Sequence, residues 1–265
     1  MTEVVSILSG KGGVGKSIFS LNLATALAKR NVETLLIDFN LSAPSLNLML
    51  GKLSPEANLN QFLKGELNEK DIVYVHPTGL KVIFSSGDEL PGESLTSNLS
   101  NLIDSLKKYF DYIIIDTSPS LAYDTQVAVD NSNIAIGVSE PTVSSLVNTM
   151  RVLKFAEFKD NKVLGLILNK VGLLESEIST RALKEISDYP ILAEIAFNNQ
   201  IQKSELLKHP FVYLYQNHNI STSFFKIASY LLGEKYEEFL EKSAQEKTNK
   251  ILKKIGFGVK KKKLS

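Results

Sequence analysis

Residues 4–17, Val-Val-Ser-Ile-Leu-Ser-Gly-Lys-Gly-Gly-Val-Gly-Lys-Ser, limit what this 265-residue chain can fold into more than any other stretch. Val4 to Leu8 is a short, β-branched, apolar run that reads as a buried strand. Gly10 through Ser17 then fits G-x-x-x-x-G-K-[ST], and an apolar helical pattern follows at once at Leu21, Leu23, Ala24 and Leu27. Strand, glycine loop, helix is the context in which this motif binds nucleotide phosphates. The backbone must curl until successive N–H groups converge on phosphate oxygens, which leaves no room for a Cβ. The helix behind the loop adds its N-terminal partial positive charge. The expected contacts run from Gly10 and Lys11 through Gly12, Gly13, Val14, Gly15, Lys16 and Ser17 to Ile18. Lys16 would lie along the β- and γ-phosphates, and the Ser17 hydroxyl would ligate Mg²⁺. A chance glycine-rich turn would explain neither the full motif nor its flanks.

The rest of the chain alternates between apolar runs and helical patterns. Strands are expected at 33–38, 71–75, 80–85, 111–116, 134–138, 163–168 and 191–195. Helices are expected at 58–64, 94–109, 142–158, 175–186, 223–232 and 235–243, with the first helix ending near Arg30-Asn31. Strands apolar throughout and separated by helices predict an α/β fold, a mainly parallel twisted sheet covered by helices on both faces. Two strands end in an acid, at Asp38 and Asp116, where open parallel sheets place their ligands. Asp116, a hundred residues after a phosphate loop, is expected to hold Mg²⁺ through a water, since that ion keeps much of its hydration shell. Asn40 reads either as a turn residue after its strand or as a group that orients a water. It can do neither a base's work nor supply charge. Asn169 reads either as the close of a strand or as an amide presented to a ligand.

Cysteine is absent, which excludes disulfides, a thiol nucleophile and any cysteine-held cluster. Three scattered histidines give no transition-metal site. No apolar run is long enough to span a membrane, and residues 1–20 lack a secretory pattern, so cytoplasmic residence is expected. The net charge of +1 conceals an imbalance. Lysines 250, 253, 254, 260, 261, 262 and 263 fall in 249–265 with no acid, leaving 23 basic and 29 acidic residues in 1–248. The division expected is a nucleotide-binding domain at 1–245 and a basic tail at 246–265.

The lysine inside the loop makes Lys11-Gly12-Gly13-Val14-Gly15-Lys16-Ser17 resemble the KGGxGK[ST] signature of the MinD/ParA family of ATPases. The resemblance runs to about residue 235 and implies a P-loop NTPase fold. It further implies that Lys11 reaches across an ATP-dependent homodimer to the partner's nucleotide. It identifies residues 39–46 as the first switch, where many members carry D-x-D and this chain has Asn40. Asp38 and Asn40 would then arrange the attacking water, with Asp38 also near the metal alongside Ser17 and Asp116. Lys11 and Lys16 would offset developing phosphate charge. Asn169 resembles the family asparagine that binds adenine. Pro141 also matches, whereas Ala196-Phe197-Asn198 replaces the usual Pro-x-Asp.

On a helix, at about 100° per residue, Ile251, Leu252, Ile255 and Val259 share one face, and Lys250, Lys253, Lys254, Lys260 and Lys261 fall opposite. Phe257 breaks the pattern, and Gly256 and Gly258 weaken a helix by about 1 kcal/mol each. The segment is similar to the C-terminal membrane-targeting helix of MinD proteins, implying an anionic membrane surface as partner. The reading is therefore a Mg-ATP-dependent, dimerising ATPase, peripheral at the inner face of the membrane, that positions an unidentified regulatory protein. Two alternatives stand beside it: a ParA-type DNA-partition ATPase, and a nucleotide-dependent scaffold with very slow hydrolysis.

Overall fold

The computed structural model describes residues 2–87, 95–173 and 177–237. Among them an eight-stranded sheet forms in the order β3-β4-β2-β5-β1-β6-β7-β8. The strands are β1 (Glu3–Leu8), β2 (Thr34–Phe39), β3 (Tyr74–Val75), β4 (Lys81–Ile83), β5 (Tyr112–Thr117), β6 (Ile134–Ser139), β7 (Lys162–Val171) and β8 (Ile191–Ala196). Every pairing is parallel except the short edge pair of β3 with β4.

Helices cover both faces because successive strand residues point to opposite sides. On β1, Val5 and Ile7 face α1 (Lys16–Ala28), α9 (Phe211–Leu214) and α10 (Asn219–Leu231). Val4 faces the other way, into the layer of α3 (Leu59–Leu63), α4 (Leu95–Leu106) and α5 (Tyr123–Asp130). Leu8 joins that second side through α6 (Val143–Phe158) and α7 (Thr180–Ile186). The expected mainly parallel α/β sheet is what forms. Gly137 on β6 lets α6 lie close, since a Cβ there would come within 2.8 Å of both Leu153 and Leu166.

The local differences have physical causes. The strand expected at 71–75 shrinks to Tyr74–Val75, because it pairs only with Val82 and Lys81 at the sheet edge. The helix expected from 175 begins at Thr180, capped by Ser179, whose hydroxyl accepts the Ala182 N–H. Strand β7 outlasts its expected end at Leu168 because β8 pairs with Asn169 and Val171. Asn169 is thus inside a strand and not past it. Four helices were not anticipated: α2 (Leu46–Met49), α5, α8 (Asn199–Leu206) and α9. α10 starts at Asn219, earlier than expected, with the His218 ring accepting the Ile220 N–H. The helix expected at 235–243 falls largely, and the tail at 246–265 entirely, outside the described residues.

Candidate nucleotide site

The glycine loop leaves the C-terminal end of β1, the strand flanked by β5 on one side and β6 on the other. That is where the strand order reverses and where a crevice opens in sheets of this kind. Gly13 and Gly15 take φ of 78° and 89°, the left-handed region, and Gly15 caps α1. Among the described residues, none of the backbone N–H groups from Lys11 to Lys16 donates a hydrogen bond. A run of free donors in front of a helix N-terminus is an anion cradle.

The walls of the loop are braced. The Gly10 N–H donates to Thr149 Oγ1 at 3.1 Å, and Gly10 lies so near α6 that a Cβ would stand 2.1 Å from the Asn148 carbonyl carbon. Ser120 donates through its N–H to the Ser9 carbonyl at 2.7 Å and through its hydroxyl to the Gly10 carbonyl at 3.0 Å. Asn169 Nδ2 donates to the Val14 carbonyl at 2.8 Å. Lys170, at φ 60° beside an irregularity in β7, donates to the Gly13 carbonyl and to Glu140 Oε1, the latter at 3.0 Å. A bulge re-aims side chains, and here it turns Asn169 and Lys170 onto the loop. Lys11 Nζ is 3.6 Å from Glu140 Oε2, whereas Lys16 is buried. Glu140 has no place in the sequence expectations, and Lys170, next to Asn169, has no role there. An acid directly after an apolar strand is the weak signal for Glu140.

Asp38 and Asp116 are opposite one another on β2 and β5, both fully buried. Burial raises the Asp38 pKa, the Asp116 charge adds to this, and together they push it to about 7 although three N–H groups oppose the change. Those donors are Asn40, Ser45 and Leu46 at 3.3, 3.1 and 3.0 Å, so Asp38 holds the loop between β2 and α2. Burial also raises the Asp116 pKa, against Lys16 and the neighbouring hydroxyls of Ser17 and Ser20. Asp116 Oδ1 accepts the Ser20 hydroxyl at 2.9 Å, while Oδ2 is buried with no hydrogen-bond partner among the described residues. An orphaned carboxylate oxygen costs free energy unless something binds it. Oxygen donors beside a phosphate cradle suit Mg²⁺, so Ser17 and Asp116 fit that ion.

Asn40 is engaged on both sides: Nδ2 donates to the Ala43 carbonyl and Oδ1 meets the Ser118 hydroxyl, each at 2.8 Å. Ser118 in turn meets Asp124 Oδ2, a carboxylate absent from the sequence expectations. Ile18 is in the first turn of α1, with its carbonyl accepting Asn22 Nδ2.

A family model named ParA, described as NUBPL iron-transfer P-loop NTPase, matches residues 1–232. An ATP-binding protein of Methanocaldococcus jannaschii, itself uncharacterized, is 27% identical over 255 residues, covering 96% of each chain. The septum site-determining protein MinD of Pyrococcus horikoshii, solved with Mg-ADP, superposes with a TM-score of 0.81 at 29% identity, over 87% of this chain and 96% of that one. The MinC:MinD cell division protein complex of Aquifex aeolicus gives a TM-score of 0.76 at 25% identity, over 88% and 96%.

Proposed function

This chain belongs to the ParA family of P-loop ATPases, and on that footing we propose that it is a Mg-ATP-dependent dimerising switch of the MinD type, acting at the inner face of the cell membrane to position a partner protein. The observation carrying the proposal is the cradle of free N–H groups from Lys11 to Lys16 in front of α1, with buried Lys16 and the unpaired Asp116 Oδ2 behind it. The donors meet the phosphate chain, and Lys16 meets the β- and γ-phosphates. Ser17 and Asp116 hold Mg²⁺, with Asp38 alongside, and the ion when bound neutralises phosphate charge. Lys11 turns to the nucleotide of a second copy, and Asn169, whose Nδ2 braces the Val14 carbonyl, offers the rest of its amide to the base. Asp38 and Asn40 arrange water for attack on the terminal phosphate. Asn40 cannot take a proton from that water and Asp38 is held by three backbone N–H groups, so turnover is slow.

The chain has no cysteine, so an iron–sulfur cluster has no thiolate ligands here. The basic, apolar tail directs the switch to a membrane instead. Each lysine near an anionic leaflet contributes about 1 kcal/mol, so one tail gives a reversible, salt-sensitive hold. Two tails on one dimer act together, and avidity can raise binding on the order of a hundredfold. ATP thereby governs membrane residence through pairing alone. The MinC:MinD complex is a precedent for a regulatory protein as the partner.

Sedimentation of the full chain with Mg²⁺ and a non-hydrolysable ATP analogue should give a dimer, and a chain that stays single overturns the proposal. Co-sedimentation with anionic liposomes, with ATP or ADP and with or without residues 249–265, tests the second half. Binding that follows duplex DNA and ignores lipid favours the ParA-type alternative.

A further inference from the structure

Asn40, Ser118 and Asp124 form a chain of three oxygens with too few protons. Ser118 Oγ is 2.8 Å from Asn40 Oδ1 and also hydrogen-bonds Asp124 Oδ2. A hydroxyl has a single proton to give, and a carboxylate is a stronger acceptor than a carboxamide. With that proton committed to Asp124, Asn40 Oδ1 needs another donor. Asn40 Nδ2 is already held by the Ala43 carbonyl, so the side chain cannot turn its amide instead.

Asp124 also reaches the backbone beside Asn40, its Oδ2 accepting the Leu41 N–H at 3.3 Å. It is buried on α5, whose Val127 and Ala128 pack in the core. The loop after β2 is thus gripped by two buried carboxylates, Asp38 from the sheet and Asp124 from a helix. Ser118 is adjacent to the phosphate cradle, since Ser120 bonds Ser9 and Gly10, and Pro119 is the nearest neighbour of a Cβ built on Gly12. Ser118 thus links Asn40 to the turn that packs on the phosphate cradle.

We propose that Asp124 is the positioning residue of the hydrolytic site: through Ser118 and the Leu41 amide it holds Asn40 Oδ1 free to accept a hydrogen bond from the attacking water. In the step served, the water oxygen bonds the γ-phosphorus as its bond to the β–γ bridging oxygen breaks. ADP leaves with that electron pair, and the water's proton goes to the released phosphate and solvent. Neither Asn40 nor Asp124 takes it. This inference rests on the hydrolysis proposed above.

The test is single-turnover hydrolysis of Mg-ATP by the full chain. Asp124→Asn keeps the volume and should slow the step by about tenfold to a hundredfold, the scale of a misplaced attacking group. ADP affinity should stay within about twofold, because that mutation removes no ground-state contact. Ser118→Ala should slow hydrolysis similarly, and combining the two should add little. A native rate in Asp124→Asn overturns the proposal. Hydrogen exchange is the independent readout. Asp124→Asn should speed exchange in residues 39–46 and leave 10–17 unchanged, and no change at 39–46 also overturns it. If the native chain releases no phosphate while 39–46 responds, hydrolysis is the reading that fails and the tether stands.

Discussion

Lys11 Nζ stands 3.6 Å from Glu140 Oε2 of its own chain, and Lys170 Nζ stands 3.0 Å from the other oxygen of the same carboxylate. The Lys11 side chain is 56% exposed, so its 3.6 Å contact with the 13% exposed Glu140 is long and screened by solvent on the lysine side. Lys11 can therefore leave at little cost, and Lys170 keeps Glu140 neutralised when it does. Lys11→Ala should leave the melting of the isolated chain within about 1 kcal/mol of native. The same change should abolish ATP-dependent dimers in sedimentation. Dimers that persist in Lys11→Ala would remove the reach across the interface.

Asp38 and Asp116 make the nucleotide-free protein sensitive to pH in a direction opposite to that of paired surface acids. Asp38 has a pKa of about 7 when folded against an ordinary 3.8, because burial and Asp116 disfavour its charge. The folded state therefore binds more protons than the unfolded one across that window. The stability this group supplies is whole below about pH 4 and is lost as pH rises toward 7. Urea midpoints of native protein and Asp38→Asn should diverge in this window, with the native chain falling more steeply between pH 4 and 7. Saturating Mg-ADP should shrink the difference, since cation charge beside the pair favours the ionised carboxylates. Parallel curves would show that the pair is not strained.

Asn169 offers a way to separate bracing the loop from gripping the base. Its Nδ2 holds the Val14 carbonyl at 2.8 Å, and it is buried. Removing one such hydrogen bond costs about 0.5–1.5 kcal/mol. Asn169→Ala should weaken ATP and inorganic triphosphate by a similar factor if the brace dominates, and calorimetry with both ligands checks it. A loss confined to ATP would assign the amide to the purine.

What could be read in the sequence was whatever rests on short-range pattern. The continuous apolar runs of β1, β2, β5 and β6 announce buried parallel strands, and the loop spacing announces the cradle. Features that depend on distant partners were hidden. Helix α8, Asn-Gln-Ile-Gln-Lys-Ser-Glu-Leu, has too few apolar residues to show a period, and α9 is a single turn set by Pro210. Helix α5, Tyr-Asp-Thr-Gln-Val-Ala-Val-Asp, is two turns long with its apolar residues bunched at Val127 to Val129, too short to show a period, so Asp124 has no signal in the sequence though it touches the same hydroxyl as Asn40. The extension of β7 that aims Asn169 and Lys170 at the loop exists only because β8 pairs there.

Gly10 and Gly12 share one motif but should differ sharply when given a side chain. A Cβ at Gly10 would stand 2.1 Å from the Asn148 carbonyl carbon and 2.4 Å from the Thr149 nitrogen, both backbone atoms of α6. Helix backbone cannot rotate aside as a side-chain tip can, so the loop or the helix must move. The Gly10 N–H bond to Thr149 Oγ1 would go with it. At Gly12 the nearest atom would be Pro119 Cγ at 3.8 Å, an ordinary contact. Gly10→Ala should therefore destabilise the nucleotide-free chain by about 1–3 kcal/mol, the range for overpacking against a rigid neighbour. Gly12→Ala should melt within roughly 0.5 kcal/mol of native, as substitutions without a steric conflict do. Thermal unfolding of both variants without ligand checks this, and equal losses would mean that α6 does not confine the loop.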